Sequence, residues 1–440
     1  MNQSIRLLAT GVLVVFATLH DAVAHDQIPG KPQSHPVVIR GATLHLIDGK
    51  PIRRGMLVFS DGKISVVGKQ VDIPEDAEIL DARGKHVYPG LIESISDLGL
   101  REISAVSESV DRIELGLRNP NVRSWVAFNP DSELIPVARA GGVLLAHVAP
   151  GGRFLRGQSA VMTLDGWSAA QMALKLPAGL CIDWNYLTPD GKDDASMVRE
   201  REAKLKELDE LLDAAKRYSA AKSEAKQRGR GDSFATDIRL ESLLPVIAGE
   251  RPIIAAADRL DVIESAVAYT QSRSLPLVIQ GGYDAEQCAD LLISCDVPVL
   301  IGATYRTPLR RDDAYDASYT LPQRLHSRGV RFAICGEGSG YPGGASMVRN
   351  LPYHAGCAVA YGLNRREAVR SITLSAAEIL GVDDRVGSLT VGKDATLIIT
   401  DGDILESDTH VEVAYVEGRE VDLGNRHETL YKKYKAKYAP

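Results

Sequence analysis

The chain is strand-like at both ends and alternates short apolar runs with helical stretches in between, and this ordering constrains its fold more than any other feature. Residues 37–47 are dense in β-formers. Residues 57–59 and 64–67 flank Asp61-Gly62, a dipeptide that accepts positive φ and so makes a two-residue hairpin turn. The same texture returns near the other end, where 395–399 and 411–416 read as short strands with Asp401-Gly402 and Glu417-Gly418 as turns. The two β-rich pieces either fold separately or combine into one small sheet.

Between them, residues 143–148, 253–256, 277–279, 299–301 and 332–334 are short apolar runs, and amphipathic helical stretches such as 284–292 and 363–372 follow. Buried parallel strands alternating with helices make an α/β fold, and roughly 300 residues suit a (β/α)8 TIM-like barrel. A doubly wound open sheet is the competing architecture. In the charged stretch 198–227, Leu205, Leu208, Leu212 and Ala215 form a single apolar stripe, the pattern of a helix packed on one face and solvated on the other.

The first residues read as an export signal. Arg6 precedes an apolar run over 7–19, and Ala22-Val23-Ala24 supplies the small-x-small pattern of a cleavage site before His25. Thirteen residues are too few for a bilayer, which takes roughly 20. The expectation is therefore a signal peptide over 1–24 and a periplasmic or secreted protein without a membrane span. Five cysteines in 440 residues are too few for a disulfide-built scaffold, and their odd number leaves at least one unpaired within the chain. A net charge of −7 argues against nucleic acid as a partner, since phosphate binding needs a basic surface.

Tyr88-Pro89-Gly90-Leu91-Ile92-Glu93 resembles the Pro-Gly-Leu-Ile-Asp motif that leads into the barrel of the amidohydrolase superfamily. The far end agrees. Gly362-Leu363 through Glu367-Ala368, Ile372-Thr373, Ala376-Ala377-Glu378-Ile379-Leu380-Gly381, Gly387-Ser388-Leu389 and Gly392-Lys393-Asp394-Ala395 look like that superfamily's closing signature, with the imidazolonepropionase-like exported members nearest. The resemblance covers nearly all of the chain after residue 24. It implies a (β/α)8 barrel over 89–385, a small composite β-sandwich built from 25–88 and 386–425, and a C-terminal tail over 426–440.

Members of that family hydrolyse carbon–nitrogen bonds other than peptide bonds. They use one or two divalent ions at the barrel mouth to acidify a bound water and polarise a carbonyl. Histidines and carboxylates hold such ions, and here most of those positions carry something else. The His-x-His of the first strand is matched by Ile95 and Asp97. The bridging lysine, which follows Gly-Leu in relatives, is matched by Cys181 after Gly179-Leu180. The histidines of two later strands are matched by Ala256 and by Gly281, or by Gln280 with a one-residue slip. The last-strand aspartate is matched by Glu337.

Isoleucine, alanine and glycine side chains cannot coordinate a metal. Asp97, Cys181 and Glu337 are the weak ligand candidates, enough for a single divalent ion at most, and no cofactor is otherwise expected. Without a metal, Glu337 is the candidate general base and Asp97 its acid partner. His354 and Gln280 are the candidate substrate-binding residues. Two functional classes follow: a C–N hydrolase with an altered site, or a catalytically inactive relative whose barrel mouth binds a small molecule, a short peptide or a partner.

Overall fold

The computed structural model describes residues 27–187, 195–336 and 344–438; the expected signal segment 1–24 and Glu337 lie outside them. Sixteen strands are described. Those before the barrel are β1 (Val37–Leu44), β2 (Ile52–Ser60), β3 (Lys63–Gly68), β4 (Glu78–Asp81) and β5 (His86–Pro89). The barrel strands are β6 (Leu91–Ser96), β7 (Val143–Val148), β8 (Leu155–Thr163), β9 (Ala173–Asp183), β10 (Ile253–Ala257), β11 (Leu277–Gly281), β12 (Val299–Ile301) and β13 (Phe332–Ile334). The last three are β14 (Leu397–Thr400), β15 (Val411–Val416) and β16 (Arg419–Glu420).

The two β-rich ends form one sheet, in the order β16-β15-β14-β5-β1-β2-β3 with β4 beside β1. Strand β5, before the barrel, pairs antiparallel with β14, after it. The sheet folds over its own core. Phe59 of β2 meets Tyr415 of β15 edge-on, ring centroids 4.9 Å apart, and the start of β3 is tied back to the approach to β14 by Ile64 N–H to the Lys393 carbonyl at 2.9 Å. Two of the three expected turns form tightly at positive φ, Asp61-Gly62 at 51° and 75° and Glu417-Gly418 at 49° and 76°, whereas Asp401-Gly402 opens a longer connection between β14 and β15. L-residues resist that conformation except in such turns.

The second sheet is the barrel, eight strands in chain order from β6 to β13. Seven run parallel as βα alternation requires, with helices such as Leu260–Gln271 and Ala317–Arg328 laid against them. One strand departs from the pure (β/α)8 pattern, because β8 runs antiparallel to both β7 and β9. Among the described residues no backbone ladder joins β13 to β6, and side chains bridge them. Ser94 Oγ donates to the Ile334 carbonyl at 3.2 Å, and Gly336 N–H donates to Glu93 Oε2 at 2.8 Å. The barrel core is nearly all aliphatic and continuous with the packed faces of the helices. Within the helix Ala195–Gln227 the expected stripe is turned inward, with Leu208, Leu212 and Ala215 buried. Among the described residues no helix is long and apolar enough to cross a membrane.

Candidate functional site

The C-terminal ends of the parallel strands form the mouth of the barrel, where active sites of this architecture are built. Asp97 follows β6 and is fully buried. Its carboxylate is gripped by Arg101 Nη2 at 2.8 Å, and Arg112 Nε lies 3.9 Å from the same oxygen. The loop after β6 supplies both guanidiniums, because it turns back through Leu100 N–H to the Asp97 carbonyl and Asp111 N–H to the Leu100 carbonyl. Burial and the nearby Arg101 and Arg156 hold the Arg112 guanidinium below its ordinary range, while Asp97 pulls it the other way. The region is therefore crowded with positive charge.

The reversed strand β8 adds a further cation. Because β8 starts at the mouth, Arg156 sits there and reaches Asp183, at the end of β9, at 3.1 Å. Its Nε also donates to the Gly152 carbonyl at 3.0 Å. Gly151 leaves room for the neighbouring arginine: a Cβ there would lie 2.6 Å from Arg112 Nη1. Its N–H donates to the Arg112 carbonyl, so this glycine turn builds the arginine cluster.

Strand register places Asp183, Ala256 and Gln280 in one row across β9, β10 and β11. Cys181 lies two residues earlier on the same strand face as Asp183. It is fully buried, and burial pushes its thiol up to about 11. A protonated thiol is a poor ligand, since metals take the thiolate. Gly281 is where it is for a backbone reason: its φ is +107°, and a Cβ would come within 2.9 Å of Asp258 Oδ1. Asp258 in turn receives Arg306 Nη1 at 3.4 Å, and Arg306 sits over the Tyr283 ring.

His354, on the helix Leu351–Ala360, is buried against the loop after β12. Thr304 N–H donates to its Nδ1 at 3.2 Å, which fixes the neutral tautomer with the proton on Nε2. Burial pushes its pKa down to about 3, so the ring stays neutral. Among the described residues, no partner reaches His354 Nε2, Gln280 Oε1 or Asp183 Oδ1, although all three atoms are buried. Native interiors pair almost every such atom, and an unpaired one costs about 1–3 kcal/mol. Two oxygen acceptors at strand ends and one N–H donor on the helix Leu351–Ala360 are the groups a small polar ligand would satisfy.

The structure thus places Asp97, Cys181 and Gln280 on strands or loops of the barrel and His354 on a helix packed against the loop after β12, while Glu337 lies outside the described residues. Arg101, Arg112, Arg156 and Asp183 were not legible as site residues. Their only sequence signal is a position shortly after, or at the start of, a strand. A divalent ion does not fit the donors described. Ile95 is apolar, Asp97 is neutralised by arginines that would repel a cation, and Cys181 keeps its proton. Among the described residues no three His, Cys, Asp or Glu side chains converge.

Comparison with known proteins agrees with the fold. Residues 313–422 match the amidohydrolase family. An imidazolonepropionase from Symbiobacterium thermophilum is 24% identical over 420 residues, 84% of this chain and 88% of that protein. The amidohydrolase tasK from Hapsidospora irregularis is 22% identical over 387 residues, 80% of this chain, and the match spans only 38% of that longer protein. Among solved structures, an amidohydrolase from Thermotoga maritima superposes with a TM-score of 0.76 at 26% identity, covering 88% of this chain and 99% of the other.

Proposed function

Because the chain belongs to the amidohydrolase superfamily, we propose that its barrel mouth is a binding site for a small polar molecule or short peptide, in which arginine–carboxylate pairs stand where the superfamily holds metal. The observation that carries this reading is Asp97, at a metal-ligand position, clasped by Arg101 at 2.8 Å with Arg112 beside it. An ionised carboxylate held this way neither donates a proton as an acid nor offers a free lone pair to a cation. His354 Nε2–H and Gln280 Oε1 contact the ligand, and the arginines give the pocket a positive lining. The same reading takes 89–385 as the barrel and 25–88 with 386–425 as the composite sheet unit. It also places the protein outside the cytoplasm, which N-terminal sequencing would support by a start at His25.

The test is the metal content of the purified protein, in wild type and Asp97→Ala, with a turnover panel of amides, hydantoins and dipeptides. Sub-stoichiometric metal in both proteins and no turnover are expected. Near-stoichiometric zinc, manganese or iron that is lost in Asp97→Ala would overturn the reading.

A second reading is a hydrolase of non-peptide C–N bonds. One observation favours it: the similarity to an imidazolonepropionase along most of the chain. On this reading Glu337, matched in sequence to the family's last-strand aspartate and outside the described residues, acts as general base toward water. Turnover on the panel that disappears in Glu337→Gln and survives chelation would establish it.

A further inference from the structure

The C-terminal helix Arg426–Tyr438 has no buried residue. Isolated helices of this length are marginal in water, because nucleation is costly and tertiary packing normally supplies the stability. Its root is tied down: Arg349 Nη1 meets His427 Nδ1 at 2.6 Å. Beyond that the helix carries its own pattern. Tyr431, Tyr434 and Tyr438 recur at spacings of three and four, which puts them within about 60° of arc on one face, and they are 62%, 51% and 75% exposed. Lys435, Lys437 and Lys433 place their ammonium groups 5.4, 5.1 and 5.7 Å from the centroids of Tyr431, Tyr438 and Tyr434 respectively.

The helix holds five basic residues against one acidic, a net +4, so the remainder of a chain of −7 carries −11. We infer that this helix docks the protein on an anionic lipid bilayer surface, with the tyrosine face at headgroup level. Three features favour a bilayer. Tyrosine rings with a polar tip suit the membrane–water interface. Lys435 and Lys437 flank the tyrosine stripe and can extend their ammonium groups to the headgroups. Lys432 lies on the far side of so thin a helix, yet within about a Debye length of the surface, roughly 8–10 Å, so it attracts without contact, while Lys433 folds back toward the Tyr434 ring. The acidic remainder is repelled, which fixes the orientation with the helix facing the membrane.

The test is co-sedimentation of the full chain with vesicles of phosphatidylcholine alone, or with about a third phosphatidylglycerol. The ratio between the two is read, because any apolar insertion contributes to both. Phosphatidylglycerol is expected to raise binding, with about fivefold lost per lysine replaced, and high salt to abolish the gain. The combined K432Q, K433Q, K435Q and K437Q variant should lose the preference. Substitution of the three tyrosines by serine should weaken binding to both vesicle types. These positions are exposed, and an unchanged melting temperature confirms folding. An unaltered ratio in the lysine variant overturns the inference. So does a wild-type dimer in light scattering that the lysine variant loses, which would mean that the helix sits on the acidic face of a second copy.

Discussion

Replacing Asp97 by alanine tests the site most directly, because the reading of the mouth rests on its ion pair. At an effective dielectric of about 20, a charge separation of 2.8 Å is worth about 6 kcal/mol and one of 3.9 Å about 4 kcal/mol. Desolvating a buried carboxylate and a nearly buried guanidinium takes back most of this gross attraction. Removing one partner alone then leaves an uncompensated buried charge, at a cost of about 3–5 kcal/mol. Asp97→Ala should lower stability by that amount, measured by urea unfolding followed through the buried Trp184. Asp97→Leu combined with Arg101→Met should restore much of the loss, since it removes both charges and keeps apolar volume. A free metal ligand predicts the opposite sign, because deleting it from a metal-free protein removes a charge that lacks a counterion. A loss below about 1 kcal/mol for Asp97→Ala, with no coupling to Arg101 in a double-mutant cycle, would refute the ion-pair account.

Other predictions follow from the same geometry. Burial holds His147 at about 4 and His354 at about 3. As pH falls from about 6.5 toward 4, the unfolded chain takes up protons that the native rings refuse, so stability drops across that window and is level above it. At pH 5 each ring contributes a loss of roughly 2 kcal/mol, and His354→Gln should flatten the urea midpoint against pH by its share; an unchanged slope would count against it. Cys181, buried and pushed up to about 11, should resist a thiol reagent at pH 8 in the native protein while the half-buried Cys295 and Cys357 react, counted as thiols labelled before and after denaturation. Gly281→Ala should lower the melting temperature at a cost of about 1–3 kcal/mol, because it forces a Cβ against Asp258 at positive φ; a neutral result would show that the loop re-forms freely.

The barrel strands and the β-rich ends were legible because their signals are local, whereas the sharing of one sheet by the two ends followed only from the family resemblance, since β5 and β14 lie about 300 residues apart. Asp61-Gly62 and Glu417-Gly418 declare hairpins, and the apolar runs over β10 to β13 declare buried strands. Strand β8 escaped notice because it carries Gly157, Gln158 and Ser159 where a buried strand usually carries Val or Ile, and its direction depends on pairing with β9. The register of the first barrel strand was readable, so Asp97 was singled out. Its chemistry was not, since Arg112 lies 15 residues away and the pairing exists only once the loop folds back. Asp183 was missed for the same reason, as its partner Arg156 comes from the reversed strand.

The sheet that joins the two ends of the chain sets a schedule for biogenesis. Strand β5 presents an unpaired edge until β14, roughly 300 residues later, has been made. At about 5–20 residues per second that interval lasts roughly 15–60 s. Throughout it, a half-built sheet with exposed apolar faces such as Leu44 and Val87 waits while the barrel strands β6 to β13 are made. An unpaired edge is a template for other chains. A chain that stops short of residue 397 would therefore lose its own partner strand and keep that edge open, so aggregation through β5, rather than a smaller soluble barrel, is the expected fate of C-terminal truncation.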